Sequence, residues 1–370
     1  MSPIAQSRRL VLKVGSSLLV EEATGQIHRR WLDGLAEDVA RCRARGQDVI
    51  LVSSGAVAVG RRHLGLTPPL RLEEKQAAAA TGQIRLAHAY QEALAHHGVT
   101  VAQVLLTLED SEDRQRYLNA RGTLETLLKL GAVPLINEND TVATAEIRFG
   151  DNDRLAARVA QMAVADALVL FSDIDGLYTA DPRRDPSATF IDEVHALTPE
   201  IEAMAGDPGS GYGSGGMVTK LAAARICLSA GCRMAIAHGP VDRPLAAIEG
   251  GARCTWFLPS AGPRTARKQW IGGVLRPTGT VIVDGGAVRA LGAGRSLLPA
   301  GVTGIEGRFG QGDCVLVRGP DGAILARGLV CYSAEEARRI QGRKSSEIEA
   351  ALGYRGCDEL IHRDDLVMEG

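Results

Sequence analysis

The stretch Val133-Pro-Leu-Ile-Asn-Glu-Asn-Asp140, continued by Ala145-Glu-Ile-Arg-Phe-Gly-Asp-Asn-Asp153, decides how the rest of the chain is read. Its apolar start is long enough for a buried strand. It empties into two clusters of Asn and Asp, with a strongly helical pattern over 154–165 behind the second. Polar groups therefore collect where a parallel strand stops. In an open α/β sheet the crevice outside the carboxyl ends of the strands is where ligands bind, so the stretch reads as the floor of a site.

Upstream, residues 9–14 read as a short apolar strand interrupted by Lys13, followed by the turn Gly15-Ser-Ser17 with its exposed backbone donors. Helical periodicity over 31–45 stops at Gly46, and residues 48–52 make a second strand that ends in Ser53-Ser-Gly-Ala56. The Ala-rich segment 73–97 reads as one long helix or a helix pair, 101–106 as a third strand, 116–130 as a helix and 133–136 as a fourth strand. Downstream, 167–171 gives a fifth strand ending in Ser172-Asp173, a turn or two of helix follows near 199–204, and 233–237 is a sixth strand. Between them Gly209-Ser-Gly-Tyr-Gly-Ser-Gly-Gly216 opens onto a helix over 217–230. Such alternation predicts βαβ units in an α/β fold, an open and mostly parallel sheet sandwiched by helices.

Composition shifts after about residue 258, where Pro259-Ser-Ala-Gly-Pro-Arg264 is linker-like and residues 264–270 are basic with a tryptophan. From Gly279 onward apolar and polar residues alternate between close-spaced Gly turns, which predicts a small antiparallel β-rich barrel domain with short helices at 333–340 and 346–352. The expected organisation is therefore 1–260, a linker at 261–275, and 276–370. A chain of 370 residues exceeds the size at which a single core stops growing.

Bulk properties exclude several classes. Net charge is −2, which gives no global drive toward nucleic acid or an anionic membrane. Seven scattered cysteines without a C-x-x-C pair read as reduced structural thiols of a cytoplasmic protein. The segment Ser7-Arg-Arg-Leu-Val-Leu-Lys13 has the look of a twin-arginine signal, yet Lys13, Gly15, Ser16 and Ser17 interrupt the apolar stretch such a signal needs. No run approaches the roughly 18 apolar residues of a membrane span. The eight histidines are dispersed, and neither a Ser-His-Asp or Cys-His arrangement nor zinc-type spacing is apparent.

The chemistry gathers at the ends of the strands. The loop 209–216 is not a Walker A motif, because Met-Val-Thr-Lys220 stands where Gly-Lys-Ser/Thr would be required. Its glycines and the following helix N-terminus still suit a phosphate. Lys220 in the first turn of that helix opposes the dipole, which calls for a counter-anion. Lys13 in a buried strand is costly unless paired. Asp153 ahead of a helix would ordinarily be a cap. However, Asp140, Asp151 and Asp153 stand with Asn137, Asn139 and Asn152 between one strand and one helix, and capping needs a single residue. The set could hold an ammonium, a metal or a catalytic lysine.

Assembled, these residues resemble the amino acid kinase family. The stretches that carry the resemblance are Val11-Leu-Lys-Val-Gly-Ser-Ser17, Val52-Ser-Ser-Gly-Ala56, Ile136-Asn-Glu-Asn-Asp-Thr-Val142, Phe149-Gly-Asp-Asn-Asp153, Gly176-Leu-Tyr-Thr-Ala-Asp-Pro182 and Gly213-Ser-Gly-Gly-Met-Val-Thr-Lys220. Val283-Asp-Gly-Gly-Ala287 and Ser296-Leu-Leu-Pro-Ala-Gly301 resemble a PUA domain. The Asn-Glu-Asn-Asp and Gly-Asp-Asn-Asp pairing is similar to members that act on glutamate rather than on aspartate, N-acetylglutamate, carbamate or UMP.

The resemblance implies an amino acid kinase-like sheet and ATP-dependent phosphorylation of the γ-carboxylate of L-glutamate to L-glutamyl 5-phosphate, the first step of proline biosynthesis. Carried over by position, Lys13 and Lys220 would stabilise the transferring phosphoryl group and Asp153 would orient them. Ser54, Asn137, Asp140 and Asn152 would hold glutamate. Lys13, Ser172 and Asp173 would hold ATP, together with Ser214, Gly215, Gly216, Met217, Val218, Thr219 and Lys220; Ser172 stands where Thr is equally expected. The resemblance also implies Mg2+ on the phosphates, with protein ligands unassigned, feedback inhibition by proline, a homo-oligomer and a functional link to glutamyl phosphate reductase. The chemistry agrees, because a carboxylate of pKa near 4.3 is already ionised at neutral pH and needs no general base. Positioning and charge neutralisation are what such a transfer requires.

Two other readings stand beside this one. A related enzyme acting on another carboxylate or on a nucleotide would share most of these residues. The PUA-like domain suggests RNA binding, with Arg264, Arg267, Lys268 and Trp270 as a small basic-aromatic patch. The slightly negative charge and the scarcity of aromatics weigh against it.

Overall fold

The computed structural model describes residues 2–21, 24–142, 152–205, 216–273 and 275–369. They fall into two units, Met1–Pro263 and Arg264–Gly370.

In the first unit, short apolar runs of mostly Val, Leu and Ile form β1 (Arg9–Val14), β2 (Asp48–Ser53), β3 (Val101–Leu106), β4 (Val133–Glu138) and β5 (Ala167–Ser172). Three two-residue strands follow, β6 (Leu177–Tyr178), β7 (Phe190–Ile191) and β8 (Glu193–Val194), and then β9 (Arg233–His238) and β10 (Cys254–Phe257). An eight-stranded sheet runs in the order β3-β4-β2-β1-β5-β9-β10-β8. All pairings from β3 to β9 are parallel, while β10 runs antiparallel to β9. The chain leaves β1 to build one side of the sheet and returns to β5 to build the other. That reversal is a topological switch point, and the crevice beyond the carboxyl end of β1 is the place it prepares.

Helices cover both faces. The single turns α1 (Pro3–Gln6) and α2 (Ser16–Leu19) are followed by α3 (Arg29–Ala44), α4 (Ala56–His63), α5 (Leu72–Ala95), α6 (Leu108–Glu112) and α7 (Arg114–Lys129). After these come α8 (Asn152–Met162), α9 (Pro199–Ala203), α10 (Met217–Ser229) and α11 (Pro244–Glu249). Strand residues alternate between two apolar cores, as a period of two requires. Leu10, Leu12, Leu51, Leu135 and Val169 pack with Leu32, Leu35, Leu86 and Leu245 of α3, α5 and α11. Val11, Val52, Ile136 and Leu170 pack with Leu128, Leu155, Val159 and Ala223 of α7, α8 and α10. Lys13 shares the parity of Val11 and so belongs to the α8 and α10 face. Asn137 shares that of Leu135 and belongs to the α5 face.

Several elements differ from the sequence expectation. The segment read as one helix or two is the single helix α5. Strand β4 continues through Asn137 and Glu138, so the polar cluster begins inside the strand. Helix α8 starts at Asn152, which places Asp153 within its first turn rather than before it. Helix α4 was not foreseen, because Ser53-Ser-Gly-Ala56 reads as a turn and the helix is only eight residues long.

In the second unit, residues 263–273 expected as part of a linker form α12 (Pro263–Gly273), with Ile271 buried against Cys314 and Leu329. Strands β11 (Gly279–Val283), β12 (Val302–Gly307), β13 (Cys314–Arg318), β14 (Ile324–Leu329) and β15 (Leu366–Met368) form a sheet in the order β12-β11-β13-β14-β15. It is mixed rather than wholly antiparallel, since β11 and β13 run parallel. Asp284-Gly-Gly, which reads as a turn, starts helix α13 (Gly285–Gly292), and the Asp284 carboxylate caps it by accepting from the Ala287 N–H. Helices α14 (Ala334–Ile340) and α15 (Ile348–Leu352) close the core of this unit. Within the basic-aromatic patch, Arg267 is largely buried and its Nε lies 2.6 Å from Asp365, so it is committed to this unit's own packing.

Candidate active site

The carboxyl end of β1 brings a lysine to the α8 and α10 face, and both helices answer it. Lys13 Nζ lies 2.7 Å from Asp153 Oδ1, and Lys220 Nζ lies 3.3 Å from Asp153 Oδ2. Thr219 Oγ1 donates to the same Oδ2 at 3.0 Å. All three charged residues are buried, Asp153 almost completely at 2 % exposure. Burial alone would raise the Asp153 carboxyl. Charge from Lys13 and Lys220, with hydrogen bonds from Lys13 and Thr219, more than offsets it and holds the group down at about 2. The counter-anion that Lys220 called for is thus Asp153 itself. Two ammonium groups around one carboxylate leave the cluster with a net positive charge. An ammonium has three donors and Asp153 takes one from Lys13, so the cluster is suited to a further anion.

Beside this cluster lies a region of amides. Asn152, the residue before Asp153, donates from Nδ2 to Ser54 Oγ at 2.7 Å and to the Ser53 carbonyl at 3.2 Å. Gly55, whose φ of 102° suits glycine alone, then turns the chain into α4. Asn137 at the end of β4 donates from Nδ2 to Gln83 Oε1 at 2.6 Å, and its own Oδ1 accepts from the Glu138 N–H at 2.9 Å. Asp140 follows, 9 % exposed, and burial together with the nearby Glu138 charge pushes its carboxyl up to about 7. Such a group becomes fully ionised when a cation arrives.

A third region lies at the carboxyl end of β5. Ser172 Oγ donates to Asp173 Oδ1 at 3.1 Å, and Asp173 pairs with Arg183 at 2.6 Å. Beside them is a cavity of about 410 Å³ lined in part by Asp173, Asp175, Tyr178, Arg183 and Arg253. Gly216 caps α10, and Val218 at that helix start is exposed. Ser214 and Gly215, and Asp151 with them, lie outside the described residues.

The structure therefore joins Lys13, Asp153, Thr219 and Lys220 in one cluster and Ser54 with Asn152 in another. Asn137 and Asp140 stand at the end of β4, and Ser172 with Asp173 at the end of β5. Gln83, Glu138 and Arg183 were missed by sequence reasoning. Gln83 had a signal, since a glycine in an Ala-rich helix marks a close approach and Gln83 follows Gly82. Arg183 had none.

Comparison with known proteins places these features. The model of the amino acid kinase family matches residues 8–238 and that of the PUA domain matches residues 279–352. The chain is 75 % identical over 370 residues to a glutamate 5-kinase of Paramagnetospirillum magneticum, with both chains covered in full. It is 63 % identical over 360 residues to a glutamate 5-kinase of Rhodospirillum rubrum, covering 97 % of this chain and 96 % of that one. It is 60 % identical over 369 residues to one of Dinoroseobacter shibae, again with full coverage of both. With a lysine-bridged carboxylate at the switch point of its parallel sheet and matches of this extent, the chain belongs to the amino acid kinase family.

Proposed function

We propose that the chain transfers the γ-phosphoryl group of ATP to the γ-carboxylate of L-glutamate, giving L-glutamyl 5-phosphate and ADP, the first step of proline biosynthesis. The observation that carries the reading is the Lys13–Asp153–Lys220 cluster standing beside the amide region of Asn152, Ser54 and Asn137. Relatives of up to 75 % identity bear the matching name. Lys13 and Lys220 meet the charge that builds on the phosphoryl oxygens, and Asp153 holds both ammonium groups in place beforehand. A charge pair 4 Å apart at an effective dielectric near 20 is worth about 4 kcal/mol, so prior placement of the lysines lowers the barrier without rearrangement during transfer.

Ser54, Asn137, Asp140 and Asn152 hold glutamate, with the Asp140 carboxylate taking the α-ammonium. ATP lies along Ser172, Asp173 and the start of α10 from Gly216 to Lys220, and Ser214 and Gly215 extend that set by sequence. Mg2+ is read as travelling with the phosphates. Among the described residues no group of three carboxylate, histidine or cysteine side chains is placed to hold a metal. Asp153 gives its oxygens to lysines.

The product is a mixed anhydride that water cleaves readily, which supports a functional link to a glutamyl phosphate reductase that consumes it. Proline presents the same α-carboxylate beside an amine, which supports feedback inhibition at the glutamate pocket. Homo-oligomeric assembly and a cytoplasmic location complete the reading. No described helix is long and apolar enough to cross a membrane.

The test is a coupled ADP-release assay with the full chain, ATP, Mg2+ and a panel of glutamate, aspartate, N-acetylglutamate, carbamate and UMP, with hydroxylamine trapping to identify the acyl phosphate formed from glutamate. ADP release with glutamate at a kcat/KM at least a hundredfold above any other acceptor, with a hydroxamate trapped from the glutamate product, is the expected outcome. Equal or better turnover of another member would sink the assignment.

A further inference from the structure

The amide region leaves two polar atoms that the roles above do not use. Nε2 of Gln83 and Oδ1 of Asn152 are buried and, among the described residues, have no hydrogen-bond partner. Gln83 is only 9 % exposed, and its other amide atom is fixed by the 2.6 Å bond from Asn137. Asn137 is fixed in turn by the Glu138 N–H. The pair thus holds the Gln83 amide with its donor end unmatched. Because an unmatched buried donor is costly, a site that keeps one is built for an acceptor that arrives from outside.

We infer that Gln83 is a substrate-binding residue whose Nε2 donates to the α-carboxylate of the amino acid while its Oε1 positions Asn137. This rests on the functional reading given above. One unmatched donor and one unmatched acceptor complement a carboxylate and an ammonium, with Asn152 Oδ1 accepting from the ammonium beside Asp140. Gln83 serves the α end because it belongs with Asn137 to the α5 face, whereas Lys13 belongs to the α8 and α10 face where the γ-carboxylate is phosphorylated.

The fold explains how an α5 side chain reaches this place. Helices α4 and α5 touch backbone to backbone: a Cβ at Gly82 would stand 1.8 Å from the Ala56 carbonyl oxygen, and one at Gly60 would stand 1.7 Å from that of Ala78. Helix α4 starts two residues after Ser54, which receives the Asn152 amide at 2.7 Å. The same crossing therefore anchors both sides of the pocket.

The test compares Gln83→Glu and Gln83→Met with the wild-type full chain, using glutamate and its α-amide, isoglutamine, whose γ-carboxylate remains free to be phosphorylated. Gln83→Glu keeps an oxygen for Asn137 and replaces only the donor. It is expected to raise the KM for glutamate at least tenfold, leave the KM for ATP within twofold, and shift the preference at least tenfold toward the α-amide, which donates to the new carboxylate. Gln83→Met keeps the volume and loses both amide atoms. It should raise the glutamate KM about tenfold with the ATP KM unchanged, and it decides alone if the charged variant does not fold. A wild-type KM in both variants, or an unchanged preference between glutamate and its α-amide in Gln83→Glu, overturns the assignment of Gln83 and leaves the function standing. Failure of the wild-type chain to phosphorylate glutamate overturns the function and the assignment together.

Discussion

At Lys13 a strand position of the apolar interior carries a charge, and the surrounding residues account for it. A buried ammonium is tolerated only with a counter-charge and hydrogen bonds, and Asp153 supplies both at 2.7 Å. Lys13→Ala keeps the Asp153–Lys220 pair, so the chain should fold, but one of the two cations proposed to face the phosphoryl group is lost. We expect kcat to fall about a hundredfold or more, roughly 2.7 kcal/mol of barrier, with the KM for glutamate changed by no more than about threefold. Near wild-type turnover would exclude the role. Asp140 yields a different kind of prediction. Burial and Glu138 hold its carboxyl at about 7 in the free site, and only the ionised form pairs with a substrate ammonium. Below that pH the free enzyme carries Asp140 protonated. The kcat/KM for glutamate should therefore climb about tenfold per unit up to about pH 7 and level off above it. Asp140→Asn should flatten that limb and raise the KM for glutamate, and a limb that survives the substitution would assign the titration elsewhere.

At the scale of elements, the βαβ frame was legible because strands buried on both faces are written as short apolar runs, such as residues 10–12 and 167–171, bounded by Gly and polar turns. The charged half of the site was legible too, since Lys13 and Lys220 each sit where a lone lysine is unfavourable. The α4–α5 crossing was not. Its signal is two glycines, Gly60 and Gly82, separated by a stretch that carries no pattern linking them, and the Ala-rich α5 has only weak amphipathicity to show which side faces inward. Close helix approach is a tertiary fact, and it is what brings Gln83 to Asn137. The crossing predicts opposite outcomes for two superficially similar substitutions. Gly82→Ala sets a methyl 1.8 Å from the Ala56 carbonyl oxygen and 2.7 Å from the Gly60 nitrogen, so the helices must part. We expect a loss of about 1–3 kcal/mol, seen as a fall in Tm of several degrees, with a rise in the KM for glutamate. Gly122→Ala in α7 meets nothing within 4 Å and should raise stability by about 0.5–1 kcal/mol through helix propensity. Equal behaviour of the two variants in thermal melts would show that the crossing imposes no close contact.

At the scale of the whole molecule, the two units have separate interiors. The cores of the first are drawn from residues up to Phe257, and those of the second begin at Ile271. Every residue placed in the candidate site belongs to the first. A chain ending at Pro263 should therefore fold and phosphorylate glutamate with kcat and KM within about threefold of the full chain. The position of the cut matters. Sequence composition put the end of the first domain at 260, but a Cβ at Gly231 would lie 2.6 Å from the Gly262 carbonyl carbon and 2.7 Å from the Ala261 oxygen. Residues 261–262 thus pack against the turn between α10 and β9. A cut after 260 strips that contact from the helix that carries Lys220, and it should lower the Tm relative to the cut after 263 while leaving the site residues in place. Circular dichroism melts and the hydroxamate assay on the two truncations distinguish the cases. Loss of activity in the longer one would mean that the second unit is required for catalysis, despite contributing no residue to the cluster of Lys13, Asp153 and Lys220.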